Sequence, residues 1–335
     1  MRVISGRYKM ITRRRVLQSG AAGATLASMP WAIKESLAAA GRTAVNFDVP
    51  RGACDCHVHI QDPDRFPYVA NRLYTPGPAS VEELTKLQQD LKLERVVIVQ
   101  PSVYGTDNRC TLDAVTRLGP RARAIVVINR DTARGEVEAM STQGARGVRL
   151  NLETNTAGAF DPSAAKALLD QVAQKIEGLN WHVQFYTRPN IIAALKDHLQ
   201  QLPFPVVFDH FARARAHAGI DQPGFGAVLE LVKSGRAYVK VSAPYRISEQ
   251  GPDYADVAPL AAALIAANPE QILWATDWPH PNSEWGRGKP LTEVAPPFPI
   301  DAGLLLNEFA KWAPDPAVRQ KILVDNPARL YGFAA

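Results

Sequence analysis

Short apolar runs of strand length alternate along this chain with longer segments in which apolar residues recur at helical spacing. Such alternation is typical of repeated βα units built around a parallel sheet. Eight apolar runs are predicted to be strands: 53–59, 95–100, 124–128, 147–150, 182–186, 206–209, 237–241 and 272–275. Eight strands with helices between them predict an α/β protein with a (β/α)8 TIM-like barrel, and a doubly wound open sheet is the alternative.

Helical patterns fill the segments between these runs. Ser80 and Glu83 have the spacing of a capping box, which predicts a helix from there to about Leu91. Further helices are predicted at 162–176, 190–201, 257–267, 301–312 and 316–323. No low-complexity linker interrupts the pattern, so 41–335 is predicted to form one domain.

The first 40 residues have the features of a targeting segment. Arg13 and Arg14 stand in the run TRRRVLQ, which resembles a twin-arginine export motif, and a weakly apolar stretch of small residues follows at 19–32. Ala38, Ala39 and Ala40 offer a cleavage site. We therefore predict a twin-arginine signal peptide over 1–40, the export machinery as a partner and a periplasmic location. The alternative is a basic cytoplasmic arm.

The leader also accounts for the basic charge of the chain. Of 38 Lys and Arg, seven lie in 1–40 against one of 33 acidic residues, so 31 basic and 32 acidic side chains remain, a formal charge of −1. A nearly neutral mature chain gives no indication of nucleic-acid binding or of binding to an anionic membrane surface. The stretch at 19–32 is too short to span a bilayer, so we expect no stable membrane insertion of the mature chain. Three cysteines make no disulfide framework, and we expect them to be small buried residues.

Polar residues able to do chemistry follow the ends of the predicted strands. In a barrel these carboxyl ends form the face on which active sites are built. His57 and His59 are two residues apart, so on a strand both side chains would point to the same side. The residues that follow strand ends are His57, His59, Ser102, Arg149, Tyr186, His210, Ser242, Arg246 and Asp277.

Several motifs along the chain, in the same order, resemble the amidohydrolase superfamily, and most closely its 2-pyrone-4,6-dicarboxylate lactonase branch. The motifs are His57-Val58-His59, Gln100-Pro101-Ser102, Gly147-Val148-Arg149, Asp209-His210 and the run TDWPH at 276–280. The resemblance covers about 50–331, nearly all of the mature chain. It implies a lactonase that hydrolyses its substrate without a metal.

The resemblance also implies roles for individual residues. Asp277 would be the general base, and His57, His59 and His210 would polarise the lactone carbonyl. Ester cleavage builds negative charge on oxygen, and fixed donors at that position lower the barrier by several kcal/mol. The substrate's carboxylates would be bound by Tyr74, Ser102, Arg149, Tyr186, Arg213 and Arg246.

One position departs from the branch. The branch carries a further carboxylate-binding arginine six residues after the position of Arg149, where this chain has Asn155. The substitution leaves room for a monocarboxylate or a hydroxylated sugar-acid lactone beside a pyrone, so the lactone itself stays open.

A zinc ion is the alternative to a site without cofactors. His57, His59 and Asp277 could hold Zn²⁺, as other amidohydrolases do. Metal-rich members of the superfamily have a lysine or glutamate at strand four and a histidine ending strand five, where this chain has Arg149 and Tyr186. Because a cation at 149 repels a metal and attracts an anion, we predict a metal-free site.

Three functions compete. The first is lactone hydrolysis with Asp277 as the base. The second is isomerisation of a sugar-acid lactone, as in galactarolactone isomerase, a relative within the superfamily that keeps the barrel but alters the first histidine of the pair and the strand-eight aspartate. Both residues, His57 and Asp277, are intact in this chain, which favours hydrolysis. The third is an exported protein that binds a carboxylated ligand without turnover, a function that needs no base.

Overall fold

The computed structural model describes residues 43–152 and 160–334. The predicted leader at 1–40 and Asn155 lie outside the described residues, so the predictions made for them stay predictions. No helix in the described ranges is both long enough and apolar enough to cross a membrane.

Eight parallel strands form the barrel and follow one another around it in chain order. They are β1 (Cys54–Val58), β3 (Arg95–Val99), β4 (Ala122–Val126), β5 (Ala145–Asn151), β6 (His182–Tyr186), β7 (Val206–Phe208), β8 (Ala237–Ser242) and β9 (Ile272–Ala275). Two short strands, β2 (Thr75–Pro76) and β10 (Val294–Ala295), pair with each other outside the barrel. The predicted TIM-like barrel is confirmed, and the predicted strand ends are correct to within about two residues.

The first and last barrel strands meet at a seam that has no regular ladder. One isolated bridge joins Val58 to Trp278. The backbone N–H of Asp277 donates to the carbonyl of His57 at 3.0 Å, and that of His59 donates to the carbonyl of Trp278 at 2.8 Å. The closure of the barrel therefore brings the two histidines of β1 next to Asp277.

A buried carboxylate completes this seam. Asp55 accepts hydrogen bonds from the backbone N–H and the hydroxyl of Thr276, at 3.0 and 2.5 Å, and from the backbone N–H of His57 at 3.2 Å. Burial raises the pKa of Asp55 to about 6, although the bonds from Thr276 lower it. One side chain thus ties the end of β9 to the middle of β1.

The described residues form ten α-helices. They are α1 (Val81–Leu91), α2 (Arg109–Leu118), α3 (Arg134–Thr142), α4 (Pro162–Ile176), α5 (Pro189–Gln201), α6 (Phe225–Lys233), α7 (Ala258–Ala267), α8 (Ala302–Trp312), α9 (Pro316–Gln320) and α10 (Asn326–Tyr331). The capping box of Ser80 and Glu83 is present at the start of α1, and the predicted helix at 316–323 is α9 followed by a π-helical turn. Helices α2, α3, α6 and α10 were not predicted. In α2 the buried face includes Cys110 and Thr111, which weaken the apolar pattern.

The apolar core has two parts. The larger part lies between the barrel and its helices, and the smaller part fills the barrel among Cys56, Val97, Ile125 and Leu273. Tyr331 of α10 packs against this inner group, beside the residues that begin the strands. All three cysteines are free and buried, as predicted. With the opposite end filled in this way, the carboxyl ends of the strands are left for a polar site.

Candidate active site

Asp277 follows β9 and lies at the floor of the polar end of the barrel. Its Oδ2 accepts hydrogen bonds from Tyr245 Oη at 2.7 Å and from Arg246 Nε at 2.6 Å. Its Oδ1 has no hydrogen-bond partner among the described residues. Burial acts to raise the pKa of Asp277, but Arg246 and three nearby imidazoles together outweigh it and hold that pKa well below its usual range. Asp277 is therefore a carboxylate with one oxygen held by two hydrogen bonds. The other oxygen, Oδ1, is buried and has no partner among the described residues, and it is called the open oxygen below.

Three imidazoles surround the open oxygen. The Nε2 atoms of His57, His59 and His210 lie 3.8, 3.6 and 3.8 Å from Asp277 Oδ1. These separations are too long for hydrogen bonds, so the three rings contact Oδ1 without being bonded to it. The structure therefore brings together the four residues that the sequence predicts to be catalytic.

The opposite ring nitrogen of each histidine already has a partner. Nδ1 bonds to Asp209 Oδ1 in His57 (3.1 Å), to the Val99 carbonyl in His59 (2.7 Å) and to Ser242 Oγ in His210 (2.9 Å). Burial lowers the pKa of His57 well below its usual value and that of His210 to about 3, so both are neutral at pH 7.

These partners constrain the tautomers of the rings. The Val99 carbonyl only accepts, so His59 carries a proton on Nδ1, and its Nδ1-H tautomer presents a lone pair at Nε2. Nδ1 of His57 has both an acceptor, Asp209 Oδ1 at 3.1 Å, and a donor, Lys240 Nζ at 3.2 Å, so either tautomer of that ring has a partner. The hydroxyl of Ser242 can donate to Nδ1 of His210, which leaves that ring free to carry an Nε2 proton. The site can therefore present both a lone pair, from His59, and an Nε2 proton, from His210, to a ligand beside Asp277.

The chain turns into the site through a left-handed segment after β7. Four consecutive residues have positive φ: His210 (51°), Phe211 (56°), Ala212 (53°) and Arg213 (58°). Each such residue costs about 1–2 kcal/mol when it is not glycine. Strain of this kind persists where the surrounding structure enforces it, as at functional sites. The segment directs the ring of His210 toward Asp277.

A buried ionic network lies behind His57. Asp209 accepts from Gln184 Nε2 at 3.2 Å and from Arg149 Nε at 3.3 Å. Lys240 Nζ donates to Gln184 Oε1 at 2.7 Å and lies 3.4 Å from Asp209 Oδ1 and 3.2 Å from His57 Nδ1. Burial lowers the pKa of Lys240 while Asp209 opposes that effect.

Two residues of this site, Lys240 and Tyr245, were not predicted from the sequence. Lys240 is the one charged residue of the predicted strand 237–241, and a charge inside an otherwise apolar strand was the available signal. Tyr245 precedes Arg246 directly, in the same loop after β8, and could have been found by its position.

An open pocket lies above Asp277, with about 530 Å³ of empty space that includes its solvent-exposed part. Eight of the ten predicted site residues line it: His59, Tyr74, Ser102, Arg149, Tyr186, His210, Arg246 and Asp277. His57 is fully buried and does not line the pocket. Arg213 donates to the carbonyl of Arg246 at 2.7 Å, and its guanidinium lies 5.1 Å from the ring of Tyr186.

Some of these atoms are also arranged as metal ligands are. One donor atom each from His57, His210 and Asp277 lies within 4.8 Å of the others, and two of these atoms, His57 Nε2 and Asp277 Oδ1, have no partner among the described residues. In a tetrahedral zinc site the bonds are about 2.0–2.2 Å, which a modest contraction of this group would allow. The set differs from the predicted one by His210 in place of His59, and the ring of His57 lies nearer to His210 (4.7 Å) than to His59 (5.0 Å).

The fold is an α/β barrel. Its site combines a His-x-His pair at the end of the first strand with an aspartate after the last strand, and this combination is typical of one class of hydrolases. Residues 54–333 match the profile of the amidohydrolase family. The chain therefore belongs to the amidohydrolase family.

Similar proteins include lactone hydrolases and a lactone isomerase. The chain is 37% identical to 4-sulfomuconolactone hydrolase of Hydrogenophaga intermedia (87% of this chain, 92% of the relative). It is 36% identical to 2-pyrone-4,6-dicarboxylate hydrolase of Comamonas testosteroni (85% and 92%) and 32% identical to D-galactarolactone isomerase of Agrobacterium fabrum (86% and 94%). A crystal structure from Acinetobacter baumannii, of a probable 2-pyrone-4,6-dicarboxylic acid hydrolase with citric acid bound, superposes with a TM-score of 0.69 at 25% identity (84% of this chain, 100% of that chain).

Proposed function

We propose that this protein opens a carboxylated lactone with water. It is a hydrolase acting on a cyclic ester, as are the two hydrolases to which it is 36–37% identical. The observation that carries the proposal is the open oxygen of Asp277, which faces three imidazoles at the floor of a pocket lined by polar and cationic side chains.

Asp277 Oδ1 would take a proton from a water molecule held among the imidazoles. The second proton of that water points to the lone pair on Nε2 of His59, which aims an oxygen lone pair at the substrate. As the water oxygen bonds to the lactone carbonyl carbon, the carbonyl electrons move onto oxygen. A base with a low pKa and a fixed partner oxygen is ionised in the pH range in which it has to act.

His210 would stabilise the oxyanion that forms. With Ser242 donating to Nδ1, the ring presents an Nε2 proton to the developing charge. Removing one such donor from an enzyme costs about 10²–10³-fold in kcat. All three histidines are predicted from the sequence to polarise the carbonyl; within that set we assign the contact with the oxyanion to His210, because Ser242 can donate to its Nδ1.

Collapse of the tetrahedral intermediate breaks the ring carbon–oxygen bond. The leaving oxygen takes the proton held by Asp277, which returns the base to its carboxylate form. The product is an open-chain hydroxy acid, or its keto tautomer when the leaving oxygen is enolic, and one proton is released as the new carboxylic acid ionises.

Arg149 is our candidate for the main contact with the substrate's carboxylate. It bonds to Asp209 through Nε, and its two Nη groups carry no hydrogen bond to another described residue. A guanidinium binds a carboxylate with two parallel bonds. Tyr74, Ser102 and Tyr186 line the same pocket, and citric acid in the related crystal structure supports binding of carboxylates. Arg246 is engaged by Asp277, and Arg213 by the Arg246 carbonyl.

The proposed route uses no resident metal. Were Zn²⁺ bound, His57, His210 and Asp277 would hold it, and it would polarise the carbonyl and acidify water.

Isomerisation of a sugar-acid lactone is the second candidate, because one relative at 32% identity is an isomerase. Hydrolysis is favoured because the first histidine of the pair and the aspartate after β9 are both present. NMR of the product distinguishes the two reactions, since an isomerase returns a lactone and releases no proton.

A pH-stat screen tests the proposal. Purified protein is offered pyrone, sugar-acid and muconolactone substrates, with and without a chelator, and proton release in chelator is the expected result. Asp277→Asn should abolish that release while a carboxylated ligand still binds, and Asp107→Asn, at a partly exposed ion pair with Arg109, serves as the control. No turnover of any lactone by the unaltered protein would favour a ligand-binding protein instead.

A further inference from the structure

Lys240 has no part in the proposed reaction, yet its side chain lies fully buried inside the barrel. Burying an ammonium group is costly unless it is paired and hydrogen-bonded. Its partners are Gln184 at 2.7 Å and Asp209 at 3.4 Å, and its Nζ is also 3.2 Å from His57 Nδ1. A cation thus sits directly behind a histidine whose other nitrogen faces Asp277.

That position is significant for metal binding. In metal sites the far nitrogen of a histidine ligand is bonded to a carboxylate or carbonyl, which raises the basicity of the ligand. Asp209 occupies this place behind His57, but Lys240 and Arg149 share the same carboxylate. The support that Asp209 would give to a metal-bound His57 is therefore largely cancelled.

The charges on the other side of the site act in the same direction. Asp277 Oδ2 is engaged by Arg246 at 2.6 Å. Among the described groups of this network, two carboxylates already face three cations: Lys240, Arg149 and Arg246. A divalent ion would add two positive charges to a region that has no excess of negative charge, and repulsion between charges is strong where water is excluded.

We propose that Lys240 opposes the binding of a divalent cation by His57, His210 and Asp277, and so keeps their inward atoms available to water and substrate. The ligand atoms of His57, His210 and Asp277 are close enough together to bind a metal ion. The ammonium group of Lys240 supplies positive charge to this region instead of a metal ion. The inference does not depend on which lactone is the substrate, because its test measures metal binding and not turnover.

A zinc titration of the full mature chain tests the role of Lys240. Zn²⁺ affinity is measured by competition with a zinc-binding dye, and retained zinc is measured by mass spectrometry after dialysis. Lys240→Met should bind Zn²⁺ at least about tenfold more tightly than the unaltered protein. Lys196→Met, which removes a lysine paired with Glu230 on the outer helices, should change nothing. Equal affinity of the unaltered protein and folded Lys240→Met would overturn the proposal.

Two further variants distinguish the effect of the lost charge from the effect of the vacated volume, and they locate the bound zinc ion. The double variant Lys240→Met, Asp209→Asn removes one charge of each sign, so its zinc affinity should return close to that of the unaltered protein. A double variant that keeps the full gain would mean that vacated volume is responsible, and the proposal would fail. Adding His57→Ala to Lys240→Met should abolish the gain, which locates the ion at this site.

Circular dichroism reports whether each variant is folded. If Lys240→Met does not fold, Lys240→Gln takes its place, because it removes the same charge and retains a donor near Gln184. The same tenfold gain is expected of it, and its absence would be equally decisive.

Discussion

At the scale of single residues, the two oxygens of Asp277 are in different environments. Oδ2 is fixed by Tyr245 and Arg246, and Oδ1 is open toward the imidazoles. The fixed oxygen sets the orientation and the pKa of the carboxylate, and the open oxygen is free to accept a proton. Because the hydrogen bonds from Tyr245 and Arg246 to Oδ2 are already formed, Asp277 does not have to be reoriented before it acts as a base.

Tyr245→Phe tests this division. Losing the hydroxyl donor raises the pKa of Asp277, and activity that needs the carboxylate is lost as pH falls through that pKa. The acid limb of the kcat/KM profile should therefore move to higher pH by about one to two units, since a hydrogen bond to a charged group contributes about 1.5–3 kcal/mol. Tyr238→Phe, at the other end of the barrel, should leave the profile in place. An unmoved acid limb in Tyr245→Phe would contradict the assigned role.

Arg149→Met tests the proposed carboxylate contact. Loss of a bidentate charged contact should raise KM for a carboxylated lactone by about tenfold or more. A lactone without the carboxylate should lose much less in kcat/KM, because only the shared contact with Asp209 is affected. Steady-state kinetics on the pair of substrates measures the difference. Equal losses on both substrates would mean that Arg149 acts through the network behind His57 and not on the substrate.

At the scale of elements, the strand ends could be predicted from the sequence and the helices only in part. The strands are short apolar runs bounded by polar residues, so a linear pattern locates them. Helix α2 was missed because Thr111 and Cys110 occupy its buried face. Residues at strand ends gave most of the site, because parallel strands bring their ends together. Lys240 and the tautomers of the histidines could not be predicted, because they depend on which atoms meet across the barrel.

The end of α1 offers a prediction about stability. Lys92 caps this helix in the left-handed conformation at φ 57°, where glycine has no steric cost. Lys92→Gly should therefore raise the free energy of unfolding by about 0.5–1 kcal/mol, measured by urea denaturation. Lys86→Gly, in the exposed interior of the same helix, should lower it by about 1 kcal/mol. If both substitutions changed the free energy of unfolding in the same direction, this explanation would be contradicted.

At the scale of the whole molecule, barrel closure and site assembly depend on the same contacts. The seam between β1 and β9 joins His57 to Asp277 and His59 to Trp278 through the backbone. Asp55 reinforces the seam from within.

Asp55 predicts a pH dependence of stability. Its folded pKa of about 6 lies above the unfolded value of 3.8, so the folded state favours the protonated carboxyl. That stabilisation is complete below pH 3.8 and is lost as pH rises through 6, a change of about 3 kcal/mol from a shift of this size. Asp55→Asn lacks this titration, so its stability relative to the unaltered protein should increase by about that amount between pH 4 and pH 7. Chemical denaturation at several pH values measures the free energy of unfolding of both proteins. A difference between them that does not change with pH would refute the prediction.

Export stays a prediction, and we propose to test it in cells. Replacing Arg13 and Arg14 together with lysine should retain the protein in the cytoplasm, because the paired arginines of the signal would be lost. Fractionation followed by immunoblotting measures the location. Replacing Arg2 and Arg7, which precede the motif, is the control that preserves it. Equal secretion of both variants would indicate that the segment 1–40 has another role.

The seam also has a consequence for synthesis of the chain: the site cannot form until the segment that contains Asp277 has been made. Its acid–base group arrives with the last strand, hundreds of peptide bonds after the histidines, and the same backbone contacts that deliver it finish the barrel. A chain that ended before Asp277 would lack both the proposed base and the backbone contacts that close the barrel.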